Sequence, residues 1–200
     1  MESRAHSSRS SNTGKESVIR TSELEAQGVS RAKIRELVSS GQLQRLGRGL
    51  YVRSDAAIGE NHALAEAGKR VPNGVVCLLS ALRFHNLTTQ APHEIWLALD
   101  RKARHPAVDY LPLRVVRFSG AALDEGREQH LIEGVPVRIY NAPKTVADCF
   151  KYRNKIGLDV ALEALREAWH TKSCTMFELT HYGRICRVSN VMKPYLESLT

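Results

Sequence analysis

The sequence has nothing with which to build a metal centre or a disulfide framework. Its four cysteines, Cys77, Cys149, Cys174 and Cys186, stand far apart with no C-x-x-C pair, and its eight histidines include no H-x-x-x-H. That spacing excludes the usual zinc-binding patterns and fits a reducing, cytoplasmic setting. Cys77 and Cys149 lie in apolar segments and read as small core residues. No metal and no other cofactor is expected. Any apolar run near the roughly 18 residues of a membrane helix is also missing. The Ser/Arg-rich stretch 1–14 lacks the apolar core of a secretory signal. It reads as a disordered arm whose Arg4, His6 and Arg9 either track phosphates or simply fray.

Catalytic constellations are missing too. A metal-dependent nuclease needs clustered carboxylates with a lysine beside them. Asp100 and Asp109 follow one strand-like segment, Asp124 and Glu125 another, and neither carries an E-x-K pair on a strand. His85, next to Asn86, has no Ser/Asp partner for nucleophilic work and reads as a capping or packing group. The expectation is a binding protein and not an enzyme.

What the chain does have is positive charge, unevenly placed. It carries 29 Lys or Arg against 21 Asp or Glu, a formal charge of +8. Residues 1–53 hold ten Lys or Arg against five Glu, so about +5 lies in the first quarter. An anionic partner is expected, though charge alone does not separate DNA, RNA and lipid.

The segment 21–52 carries the strongest pattern. Ser22 and Glu25 have the S-x-x-E spacing of a capping box. Gly28 can end that helix in a left-handed conformation. Ser30 caps a second helix, whose apolar stripe is Ile34, Leu37 and Val38, and Gly41 ends it. At about 100° per residue, Ala32, Glu36 and Ser39 point away from Ile34, with Lys33 and Arg35 on the flanks. Residues 42–46, Gly47-Arg48-Gly49 and Leu50-Tyr51-Val52 read as strand, turn and strand, with the glycines supplying positive φ. Leu43 and Leu46 break the alternation, because they would face opposite sides. Helix, turn, helix and glycine-tipped hairpin, in that order, are the parts of a winged helix-turn-helix. Ala32 and Arg35 are the candidates for base edges, while Ser30, Arg31 and Lys33 near the helix start, with Arg45, Arg48 and Arg53 on the hairpin, are candidates for phosphates.

The whole reads as an α+β protein. An arm (1–15) precedes a winged helix-turn-helix (16–53), and a mixed α+β region (60–200) ends in helices. Within that region 62–69 reads as a helix, 75–78, 95–99, 113–118, 129–132 and 135–140 as strands, and 143 onward as helices. Ser80 is the expected cap of a short helix that Asn86 ends. Pro194 is expected to kink or restart the last helix. Asp148 is expected to pair with Lys144 one turn away. Trp96 and Trp169 are core candidates. Arg101, Lys102 and Arg104 form a basic loop that either extends a DNA footprint or is simply solvated.

Several segments together resemble the AbiEi antitoxin family. They are Gly28-Val29-Ser30 through Gly41, Arg48-Gly49-Leu50-Tyr51, the Leu79-Ser80-Ala81-Leu82 to His85-Asn86-Leu87 stretch, the Pro92 to Leu99 stretch, Pro143-Lys144-Thr145 with Asp148 and Phe150, and Arg187 to Leu196. The resemblance spans most of 18–200. It implies an antitoxin that represses its own promoter by binding double-stranded DNA repeats and counters a nucleotidyltransferase-like toxin, directly or indirectly. A homodimer follows as an expectation from two-fold operator symmetry. The alternatives are a stand-alone winged-helix regulator and a protein-interaction module. One departure stands out. The family's full first helix has no counterpart, because 15–20 is short and polar. That leaves the helical core either incomplete or closed by the rest of the chain or by a partner copy.

Overall fold

The computed structural model describes residues 16–108 and 110–199. The expected arm and Asp109 lie outside the described residues.

The chain enters as a strand. β1 (Val18–Arg20) runs straight into α1 (Thr21–Ala26), which a tight turn joins to α2 (Arg31–Ser39). β2 (Leu43–Gly47) and β3 (Leu50–Arg53) form a hairpin, and β1 pairs antiparallel with β3 to give a sheet of order β1-β3-β2. Both helices end in the same way. Val29 N–H donates to the Leu24 carbonyl and Gly28 N–H to that of Glu25. Gln42 and Gly41 donate likewise to Leu37 and Val38. These are paired Schellman closures, and Gly28 (φ 82°) and Gly41 (φ 74°) supply the left-handed residue each one needs. The start of α1 differs from expectation. Its cap is Arg20, not Ser22, and the returning side chain is Glu23, whose carboxylate accepts from Arg20 N–H at 2.8 Å. Strand pairing of β1 fixes the extended backbone up to Arg20, so the helix begins one residue before Ser22.

Two layers lie beneath this unit. After α3 (His62–Arg70) come β4 (Val75–Val76), α4 (Leu78–Phe84), β5 (Ile95–Asp100), β6 (Leu113–Phe118), the short α5 (Ala121–Asp124), β7 (Arg127–Ile132) and β8 (Val135–Tyr140). Four helices close the chain: α6 (Ala142–Ile156), α7 (Leu158–His170), α8 (Met176–Ile185) and α9 (Ser189–Glu197). The five strands form a mixed sheet of order β6-β5-β4-β8-β7, with β5/β6 and β4/β8 parallel. Most of the expected elements are present, with local differences. α4 starts at Leu78, so Ser80 is no cap. It lies within the helix, where its hydroxyl accepts from Trp96 N–H at 2.9 Å. The last helical stretch restarts at Arg187–Val188, and Pro194 sits inside α9.

Alternation divides each strand between two cores. Trp96, Ala98, Val116, Phe118 and Tyr140 pack under α4 and α6–α9. Ile95, Leu97, Leu99, Val137 and Ile139 face the other way, onto Leu64, Ala65, Ala67 and Val71 around α3, and the same cluster takes in Val18 and Leu50 of the hairpin sheet. The opposite face of that sheet offers Ile19 and Leu43 to Leu24 and Ile34 of the helix pair. The small sheet is therefore buried on both sides. That is why Leu43 and Leu46 can face opposite ways. Leu43 joins the helix-side core, and Leu46, at the bulge between Arg45 and Gly47, joins the α3 side.

Polar clamps reinforce the joint. Glu133 sits at the β7–β8 turn, and its carboxylate accepts from Ser17 Oγ (2.6 Å) and Gly59 N–H (2.8 Å) and pairs with His62 Nδ1 (2.6 Å). Lys69, buried in α3, reaches Glu16 (2.6 Å) and Glu23 (2.7 Å). The Arg20 guanidinium donates to the Lys69 carbonyl. Deeper in, Lys144 and Asp148 form the expected i,i+4 pair at 2.6 Å, with both side chains essentially inaccessible (0% and 2%). Lys144 Nζ also lies 4.2 Å from the Tyr140 ring centre.

Two outcomes test this account. Burial alone would raise the Glu133 carboxyl, but its bonds from Ser17, Gly59 and His62 outweigh that and hold it below the usual range. A lowered carboxyl stabilises above its unfolded pKa and loses that contribution as pH falls. Glu133→Gln should therefore cost most near neutral pH in urea unfolding, and the gap to the parent should close below about pH 4. Lys144→Met alone should cost about 3–5 kcal/mol in the same assay by orphaning a buried carboxylate, and adding Asp148→Leu should restore most of it.

Candidate nucleic-acid interface

α2 is anchored by one fully buried residue, Ile34, with Leu37 and Val38 half-buried beside it. Everything on the outer side of the helix is open. Ser30, Arg31, Ala32, Lys33, Arg35, Glu36 and Ser39 are all exposed. Ser30 caps the helix, its hydroxyl accepting from Lys33 N–H at 3.2 Å. Two of the cations are held by acids on their own unit, Arg31 by Glu25 and Lys33 by Glu36, each at 2.7 Å. Arg35 has no ion pair among the described residues.

The hairpin places its arginines unequally. Its turn is only two residues, Arg48 and Gly49, because Gly47 pairs with Leu50. Gly49 takes the positive φ (68°) and Gly47 does not. Gly47 is needed for a different reason: a Cβ there would run into the Tyr110 ring and the Arg70 guanidinium. Arg48 is exposed at the tip, and Arg45, exposed on β2, bends to donate to the Gly47 carbonyl at 3.3 Å. Arg53 lies at the other end of the hairpin, opposite Leu43, with its guanidinium forked onto Asp55 at 3.0 and 3.2 Å. The structure thus leaves Ser30, Arg31, Ala32, Lys33 and Arg35 on the exposed part of α2, spread around Ala32, and sets Arg45 and Arg48 toward the tip. It leaves Arg53 at the base with its charge matched.

Sequence reasoning missed the hairpin's support. Arg70, at the end of α3, donates to the Arg48 carbonyl at 2.7 Å and lies 5.4 Å from the Tyr110 ring centre. Tyr110 ends the loop that begins with exposed Arg101, Lys102 and Arg104. That loop is pinned at its start by Arg117, which donates to the carbonyls of Asp100 (2.9 Å) and Ala103 (2.8 Å). Tyr110, near the far end of the loop, is therefore beside the hairpin, while the basic residues start at the opposite end of β5. No local signal could have shown this support, since Arg70 lies more than 20 positions from both Arg48 and Tyr110.

The residues weighed for catalysis are separate and occupied. Asp100 accepts from Lys102 N–H (2.7 Å), Asp124 pairs with Arg127 (2.8 Å) and Glu125 with His181 (3.0 Å). His85 caps α4 and bonds the Tyr140 carbonyl at 2.7 Å. All four cysteines are buried thiols. Among the described residues no cluster of three or more His, Cys, Asp or Glu is placed to hold a metal ion, and no helix is long and apolar enough to cross a membrane.

Residues 14–54 match the family model of the transcriptional regulator AbiEi antitoxin. The matched stretch takes in β1, the helix pair and the hairpin, about a fifth of the chain. Over most of its length the chain shares a fold with the RV2827C protein from Mycobacterium tuberculosis. The TM-score is 0.56 at 15% identity, covering 82% of this chain and 65% of that one. The chain thus spans a little under two thirds of that protein's length. No curated protein matches it.

The Gly47–Tyr110 approach yields a test. Gly47→Ala should cost about 1–3 kcal/mol in thermal or urea unfolding through overpacking, and Gly47→Ala with Tyr110→Ala should recover part of that loss.

Proposed function

We propose that this chain is a DNA-binding antitoxin that represses its own promoter. The amino-terminal unit would act as a winged helix-turn-helix, with α2 lying in the major groove and the β2–β3 hairpin as the wing. The observation that carries this reading is the open outer face of α2, in a segment that matches a transcriptional-regulator family. In the proposed pose Ala32 and Arg35 meet base edges, Arg35 forking onto a guanine. Ser30, Arg31 and Lys33 meet phosphates at the helix start, where unpaired backbone N–H groups already favour anions. Arg45 and Arg48 hold the flanking backbone. Arg53 contributes least because Asp55 neutralises it.

The partners in this reading are the promoter duplex and a cognate nucleotidyltransferase-like toxin. A stand-alone regulator is the second reading, and one observation favours it: the family match stops at residue 54, so nothing matched lies in the region that would counter a toxin. Co-expression with the neighbouring gene separates the two. Growth rescue from a toxic neighbour supports the antitoxin, and a neighbour with no toxicity supports the regulator.

In gel shifts with the upstream region, Arg35→Ala should lose about 1–3 kcal/mol of discrimination at one base position. Arg48→Ala should weaken binding to every sequence and reduce the salt dependence by about one unit of slope. Unchanged binding in both variants would remove α2 and the wing from the interface.

A further inference from the structure

The tip of a short hairpin ordinarily stands free in solvent and is ordered only by its own strands. The turn between β2 and β3 is held from outside. Its Gly49 carbonyl accepts from Thr21 N–H at 3.0 Å, at the start of α1. Its Arg48 carbonyl accepts from Arg70 Nη1 at 2.7 Å, at the end of α3. Both turn carbonyls are thus taken, by two different helices. Gly47, the residue before them, lies against the Tyr110 ring and the Arg70 guanidinium, where a Cβ would have no room. Arg48 therefore combines a fixed backbone with an exposed side chain.

The residue type at position 70 gives that contact its weight. Arg70 is half-buried, and its guanidinium lies 5.4 Å from the Tyr110 ring centre. Its Nε and the Tyr110 hydroxyl are closed off from solvent with no hydrogen-bond partner among the described residues. Burying polar atoms in that state costs free energy that an apolar side chain of similar reach would not. What an apolar side chain could not supply is the donor to the Arg48 carbonyl. Arg70 is also firmly based. Lys69 beside it is tied to Glu16 and Glu23, so the end of α3 is fixed relative to both β1 and α1. Arg70 and Tyr110 lie beyond residue 54, where the family match ends.

We propose that Arg70 is a positioning residue for the wing. It holds the turn in the geometry in which the exposed Arg48 cation meets a DNA phosphate, with the Tyr110 ring as its backstop. The inference rests on the reading of the β2–β3 hairpin as a wing. It adds that the matched stretch 14–54 does not place its own wing, because α3 and the loop before β6 do. Without the clamp the turn has to be ordered at the moment of binding, and that cost is subtracted from affinity. The bound contacts, and so the number of phosphates neutralised, stay the same. Removing the clamp therefore lowers affinity at constant salt dependence, whereas removing the Arg48 cation lowers both.

Fluorescence-anisotropy titrations of the full chain with the upstream promoter duplex, at several salt concentrations, test it. Arg70→Met should weaken binding to every sequence by about three- to tenfold with the salt slope kept. Tyr110→Ala, which frees the turn from its other side, should do the same. In an Arg48→Ala background Arg70→Met should cost at most about twofold, because no cation remains to be positioned. Each variant is read where its circular dichroism matches the parent's at the assay temperature, and either one alone decides the outcome. Parental affinity in a folded variant, or an equal loss with and without Arg48, overturns the positioning role. A slope lowered by about one unit in Arg70→Met makes Arg70 a phosphate contact and overturns it as well. A parent chain that does not bind the duplex, or binds it no better than Arg48→Ala, overturns the wing reading on which the inference rests.

Discussion

The arrangement depends on a three-stranded sheet that is buried on both faces. A hairpin with one wet face would leave the helix pair tethered by a flexible linker. Here Ile19 and Leu43 hold α1 and α2 on one side, while Val18 and Leu50 are part of the core beneath α3 and the large sheet on the other. Rotating the helix pair against the rest of the chain would expose both sets of apolar side chains at about 25 cal/mol per Å². The direction in which α2 presents Arg35 is thus fixed by residues on the far side of the sheet.

This explains how the unit manages without an obvious first helix. In the described residues, α3, which lies after the hairpin, packs on the face of β1 opposite the helix pair. Lys69 ties it to Glu16 and Glu23, and Glu133 ties the start of β1 to the linker and to His62. The polar groups at this joint satisfy one another, which is the condition under which buried charge specifies an orientation instead of merely costing desolvation.

Local chemistry was legible in the sequence, and non-local chemistry was not. Gly28, Ser30 and Gly41 announced the boundaries of the helix pair because capping acts over three or four residues. Lys144 and Asp148 announced their pairing because they sit one helical turn apart. Burial of that pair on all sides was not visible, since it requires Phe118, Tyr140 and Cys186 to arrive from other elements. The segment 15–20 looked too polar for a helix, and that was informative. What it could not reveal was a strand partner more than thirty residues away. Gly47 is the clearest case of a right residue read for the wrong reason. It looked like a turn glycine, and its missing side chain serves the approach of Tyr110. Among the candidate contact residues, exposure on α2 followed from periodicity, whereas the neutralisation of Arg53 depended on how the hairpin base meets Asp55.

The cations on α2 are paired in a way that suits exchange. Arg31 with Glu25 and Lys33 with Glu36 are short contacts, but all four side chains are exposed, at 38% or more of their surface. Such pairs are worth little in water, because solvent screens them and long side chains must be immobilised to form them. In the proposed pose, a phosphate arriving at the helix start would displace a weak partner, and the released glutamates would return to solvent. They also impose a condition. Glu25 and Glu36 stay close after displacement, so only a ligand that brings several negative charges at once gains more than it loses. Paired surface cations of this kind favour a polyanion over a scattered acidic surface.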